Sequence, residues 1–202
     1  MSRTGSAQRT TAETTIRASL DLDGTGRASI STGIGFLDHL LDSLARHSLI
    51  DLELEAKGDL HVDEHHTTED CGIVLGQALD VALAERAGIR RFGDARVPLD
   101  EAVADCAMDV GGRYLCVIRP RPEATAGADA WLELVPHMLE SLAREARLTV
   151  HLEVRGARST HHHCEAMVKA FARALRTATE LDPRLTAATG SRSIASTKGT
   201  LR

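Results

Sequence analysis

The sequence predicts an α+β fold built from an internally duplicated half-domain, and three observations carry that prediction. Segments of this 202-residue chain recur in order at a near-constant offset. Within each copy, strand-like alternation gives way to helical apolar spacing. A hydrophobic content of 43% is enough to fill one core shared by both copies.

The repeat starts from Phe36-Leu-Asp-His39-Leu-Leu-Asp-Ser-Leu-Ala-Arg46, which returns as Leu134-Val-Pro-His137-Met-Leu-Glu-Ser-Leu-Ala-Arg144, an offset of 98 residues. Leu52–Gly58 falls on Val150–Gly156 at the same offset, and His65-His66-Thr-Thr-Glu69 falls on His161-His162-His-Cys-Glu165 at an offset of 96. A histidine, a strand pattern and a second histidine pair in one order make an internal duplication. Each half therefore reads as β-hairpin, helix, strand, helix, with residues 1–95 as the first half and 96–202 as the second, together one globular unit.

Taken in order, Thr14 to Leu22 alternates apolar Ile16, Ala18, Leu20 and Leu22 with polar residues. An Asp23-Gly24 turn and a return through Arg27 to Ile30 are expected to close the first hairpin. In the second half, Glu101 to Val110 turns at Gly111-Gly112 and returns through Arg113 to Arg119. Helices are predicted over 36–48, 65–86, 131–146 and 161–179, where apolar residues recur at helical spacing, as in Val74, Leu75, Ala78, Leu79 and Ala82. Residues from Ala187 onward read as an irregular tail.

Composition excludes several classes of function. A net charge of −5 and 2% aromatic residues do not suit a nucleic-acid surface. No apolar run reaches the roughly 18–20 residues of a membrane span, and Met1–Thr10 is polar, so a cytoplasmic location is expected. Cys71, Cys106, Cys116 and Cys164 form no C-x-x-C pair and are expected as reduced thiols.

Six of the ten histidines fall in two clusters, 61/65/66 and 161/162/163. On a helix His65 and Glu69 share a face, as do His161 and Glu165, so each pair can grip one ion. His66 is rotated by about 100° from His65, which points to a second ion rather than a shared one. A pseudo-symmetric solution joins His65 and Glu69 to His137 and His162, and joins His161 and Glu165 to His39 and His66. Four protein ligands on an ion that accepts six leave open positions, the pattern of a catalytic site. His47, His61, His151 and His163 lack a repeat partner of their own type, and no ligand role is expected of them.

At these residues the chain resembles the imidazoleglycerol-phosphate dehydratase family from Glu13 to Lys198. The resemblance is carried by Gly35-Phe-Leu-Asp-His39, His65-His66-Thr-Thr-Glu69-Asp70, Pro136-His137, Glu140-Ser-Leu-Ala, His161-His162-x-x-Glu165-Ala166 and Ser196-Thr-Lys198-Gly199. It implies a duplicated fold of the ribosomal protein S5 domain 2-like kind, a homo-oligomeric 24-subunit shell, and active sites with two Mn2+ ions at subunit contacts. The implied reaction is a lyase step of histidine biosynthesis, which removes water from imidazole-glycerol phosphate to give imidazole-acetol phosphate.

Imidazole is a natural ligand for an open metal position, so the substrate suits the donors. By the same resemblance Glu13 is the acid/base residue, with His39, His66 and Glu165 also at the reacting centre. Arg91, Arg113, Lys169, Ser196 and Lys198, with Glu13, would bind the substrate. Their cationic and hydroxyl donors suit a phosphate.

Three other readings share parts of the pattern. Asp21-Leu-Asp23-Gly24-Thr25 matches the D-x-D-G-T signature of haloacid dehalogenase-type phosphatases, whose first aspartate is a nucleophile. That motif should follow a continuously apolar parallel strand, and the preceding residues here alternate. A two-metal phosphate-ester hydrolase would use similar ligands but lean on aspartates. A non-catalytic assembly protein would use its metals only to join subunits.

Overall fold

A computed structural model describes residues 3–120, 130–187 and 193–201. Most of the stretch between Pro120 and Asp129 lies outside the described residues. The first half contains β1 (Thr4–Thr10), β2 (Thr14–Asp21), β3 (Ala28–Ser31), α1 (Gly35–Ser48), β4 (Asp51–Gly58) and α2 (His65–Leu83). The second contains β5 (Phe92–Leu99), β6 (Ala102–Asp109), β7 (Leu115–Arg119), α3 (Trp131–Glu145), β8 (Thr149–Arg155) and α4 (Thr160–Thr179), followed by the short α5 (Pro183–Ala187). The second sheet opens at Phe92, so a division at residue 95 falls inside β5 rather than in the connection before it.

Each half forms a four-stranded sheet, in the orders β1-β2-β4-β3 and β5-β6-β8-β7. This corrects the expected hairpins. The strand pairs that turn at Asp23-Gly24 and Gly111-Gly112 are not neighbours: β4 lies between β2 and β3, and β8 between β6 and β7. The short strands β3 and β7 instead run parallel to β4 and β8. The true hairpins are β1–β2 and β5–β6, with Thr4 opposite Asp21 and Phe92 opposite Asp109. Strand β1, Thr-Gly-Ser-Ala-Gln-Arg-Thr, is an edge strand with one buried residue, so it gave no apolar alternation to read.

Alternation does explain the inner strands. Ile16, Ala18 and Leu20 of β2 and Leu52 and Leu54 of β4 are buried, while Arg17, Glu53 and Glu55 face outward. The buried faces are covered by helices, and the helices of the two halves meet: α2 packs on α3, and α1 on α4. The two largest helix–helix seams therefore join one half to the other, with a smaller α3–α4 contact inside the second half, and the buried apolar residues form one continuous core. At the α2–α3 seam, Gly72 and Gly76 permit a close backbone approach. A Cβ added at Gly72 would stand 2.4 Å from Met138 O, and one at Gly76 2.5 Å from Leu142 O.

Among the described residues no helix is long and apolar enough to cross a membrane. Cys71, Cys106 and Cys164 are buried thiols. Asp21 ends an antiparallel strand between β1 and β4, and Asp51 accepts from the backbone N–H of Thr25 and Arg27. The D-x-D-G-T stretch is thus a crossover loop, and it lacks the parallel strand its phosphatase reading requires.

Candidate metal centre and anion site

The seams between the halves bring the repeated histidines together. At the start of α2, His65 and Glu69 meet His137 of α3, with Glu69 Oε1 3.2 Å from His137 Nε2 and the His65 and His137 rings 5.0 Å apart. At the start of α4, His161 and Glu165 meet His39 of α1. Glu165 Oε2 lies 2.7 Å from His161 Nε2 and 3.2 Å from His39 Nε2. Phe36, one turn before His39, lies tilted against the His161 ring at 5.2 Å and meets Trp131 edge-on at 5.0 Å. The i, i+4 spacing places the first two donors of each cluster on one helix face, and the packing of unlike halves supplies the third.

In each cluster the three donor atoms lie within 4.8 Å of one another. Two imidazoles and a carboxylate are suitable ligands for a divalent transition metal, and bonds of about 2.1 Å at right angles would put adjacent donors about 3 Å apart. The residues present fit such an ion. Burial opposes ionisation of Glu165, but hydrogen bonds from Lys169, whose Nζ is 2.6 Å from Oε1, and from His39 win, and its pKa falls to about 2. The carboxylate is therefore charged and ready to ligate.

His66 and His162, expected as the fourth ligands, join neither cluster within the chain. His66 Nδ1 lies 3.2 Å from Asp59 Oδ2 and 3.8 Å from Glu13, and the hydrogen bond to Asp59 raises its pKa. His162 Nδ1 lies 2.8 Å from Glu101 Oε2, and its pKa is likewise raised by that bond. Glu101 itself is lowered to about 2, first by the backbone N–H of Arg158 and then by His162. Asp100 Oδ2 lies 3.6 Å from His162 Nε2, and Asp59, Asp100 and Glu101 were missed by the sequence reading, since acidic residues beside a strand carry no pattern. His163 is buried, and burial pushes its pKa down; its repeat counterpart is the buried Thr67.

Four of the five cationic and hydroxyl anion-binding candidates come together. Arg91, Arg113, Ser196 and Lys198 line one cleft with Gly111 and Thr197. Arg91 donates through Nε and Nη2 to Asp109 at 2.7 and 3.0 Å and through Nη1 to Ala195 O at 2.8 Å, which ties the tail to the second sheet. Lys169 stands apart, at Glu165.

Comparisons with known proteins identify the family. Residues 32–175, which include both clusters, match the family model for imidazoleglycerol-phosphate dehydratase. The chain belongs to the imidazoleglycerol-phosphate dehydratase family. An imidazoleglycerol-phosphate dehydratase of Kineococcus radiotolerans is 51% identical over the full length of both chains. Crystal structures of the dehydratases from Staphylococcus aureus and Pyrococcus furiosus superpose with TM-scores of 0.77 and 0.78 at 34% and 31% identity. They cover 89% and 96% of this chain, and 99% of each of those chains is matched. The duplicated α+β architecture is thus that of the imidazoleglycerol-phosphate dehydratases, and the chain is a dehydratase enzyme.

Proposed function

We propose that this dehydratase eliminates water from imidazole-glycerol phosphate in histidine biosynthesis, with a divalent metal ion at each cluster and Mn2+ as the native ion. The observation that carries the reading is the pair of imidazole-rich clusters, each built from one helix of either half. Such ions would supply Lewis-acid polarisation of the substrate's imidazole ring.

The chain's own residues would do the rest. His65, Glu69 and His137 hold one ion, and His39, His161 and Glu165 the other. His66 and His162, whose Nδ1 atoms are already engaged, would present Nε2 to the clusters of neighbouring chains, so that the active sites form at contacts in a homo-oligomeric, 24-subunit assembly. Glu13, with its side chain 54% exposed and beside His66, would take the proton from the carbon adjacent to the ring-bearing carbon, whose hydroxyl leaves as water. Arg113, Ser196 and Lys198 would bind and orient the phosphate, with Arg91 holding the tail that presents the last two, and Lys169, beside Glu165, would reach it from a neighbouring chain.

One assay tests the reading. The purified protein, with Mn2+ and after chelation, is given imidazole-glycerol phosphate, and both water elimination and phosphate release are measured. Metal-dependent elimination without phosphate release is expected. Phosphate release would favour the hydrolase, and neither product from metal-loaded protein would favour a purely assembling role.

A further inference from the structure

The two halves hold their second histidine differently. His66 and His162 are repeat counterparts, and so are Glu13 and Glu101. Thr15 opposes Lys57 just as Val103 opposes Arg155, so each glutamate lies two residues before an equivalent point of its sheet. In the second half the glutamate holds the histidine directly, with Glu101 Oε2 2.8 Å from His162 Nδ1. In the first half Asp59, just beyond β4, has taken that place at 3.2 Å, and Glu13 stands off at 3.8 Å. The residue matching Asp59 is Ala157, which has no carboxylate to offer.

We propose that Asp59 and Glu101 are positioning residues, each accepting the Nδ1–H of its histidine so that Nε2 is left bare as a metal donor, and that this substitution in the first half releases Glu13 for proton transfer. A neutral imidazole has one donating and one accepting nitrogen, so a carboxylate fixed at Nδ1 decides which nitrogen can ligate. Glu101 is itself fixed, because its Oε1 accepts from the backbone N–H of Arg158 at 2.8 Å and of Ser159 at 3.3 Å. Asp59 is also sheltered, with its side chain 16% exposed against 54% for Glu13. The inference rests on the metal reading proposed above.

The test uses Glu101→Gln, Asp59→Asn and Glu13→Gln in the full-length protein, stripped with chelator and titrated with Mn2+ while the free ion is followed by electron paramagnetic resonance. An amide at either position keeps one accepting oxygen but can turn an N–H toward Nδ1, favouring the tautomer whose proton blocks Nε2. The wild type is expected to take up two ions per chain. Glu101→Gln and Asp59→Asn should each keep one at wild-type affinity and bind the other about 10–100-fold more weakly. Glu13→Gln should bind both ions like the wild type while losing turnover.

Thermal unfolding midpoints of the metal-free variants matching the wild type would separate this effect from misfolding. Wild-type affinity at both sites in Glu101→Gln and Asp59→Asn would overturn the proposal, as would a loss in Glu13→Gln equal to that in Asp59→Asn. A third ion in the wild type that Glu101→Gln removes would instead make Asp100, Glu101 and His162 a metal site, again against the proposal. A wild type that takes up no ion would overturn the metal reading itself.

Discussion

At the α1–α4 seam, Glu165 carries Lys169 at 2.6 Å as well as two imidazoles, and its side chain is 13% exposed. At the α2–α3 seam, Glu69 lies 3.2 Å from His137, is 30% exposed, and the position matching Lys169 is Ile73. The seams differ in packing as well. Gly72 and Gly76 lie against the α3 backbone, whereas the matching residues of α4 are Val168 and Ala172. Duplication has copied the imidazole and carboxylate donors of each cluster, and the surrounding charge has diverged. A substrate with an imidazole at one end and a phosphate at the other is not symmetric, so the two copies need not serve it alike.

The largest expected effect tests what the seams share. His65→Ala and His161→Ala should each abolish turnover, exceeding the ~10–100-fold losses typical of changes outside the ligand sphere, and should weaken metal binding and assembly together. Full metal content in both variants, read by elemental analysis, would remove the ligand assignment.

Lys169→Met tests what separates them. Loss of a charge-assisted hydrogen bond worth about 1.5–3 kcal/mol would lower kcat/KM by about 10–100-fold. Ile73→Met at the matching place should change it little. Equal losses in steady-state kinetics would erase the distinction.

Gly72→Ala tests the close seam. Its Cβ would meet backbone, so a cost of about 1–3 kcal/mol is expected. For a chain of this size each kcal/mol lowers the midpoint of a thermal melt by about 2–4 °C. Mn2+ titration should show weaker binding at the His137 cluster alone.

The pH response of the metal-free chain should be gentler. Glu101 and Glu165 ionise near pH 2 in the fold against an ordinary 4.5, so their contribution is present above about 4.5 and lost as the pH falls toward 2. Chemical denaturation at stepped pH should show Glu165→Gln with a flatter acid limb. Smallest of all, Asp21→Asn should leave elimination activity unchanged in the same assay, because Asp21 ends the antiparallel strand β2 and takes no part in either histidine cluster.

The legible parts of the site were those with a local period. His65 with Glu69, and His161 with Glu165, are one helical turn apart, so their shared face could be read directly. His39 and His137 were found because the repeat carries them in register. The partners of His66 and His162 were not legible, since Asp59 and Glu101 occupy non-equivalent repeat positions and neither has a spacing that sets it apart. The same limit explains the mistaken hairpins. An alternating strand followed by Asp-Gly announces a turn, but it does not say that β4 will enter between the strands the turn connects.

By itself the sequence determined the duplication, the four helices and the donor types, because these depend on residue identity and short-range periodicity. Tertiary structure alone decided which strands pair, that α2 seeks α3 and α1 seeks α4, and which carboxylate turns each second histidine. Those choices are made by burial and hydrogen bonding between segments as far apart as His39 and Glu165, 126 residues, where neither helical nor strand periodicity carries any information.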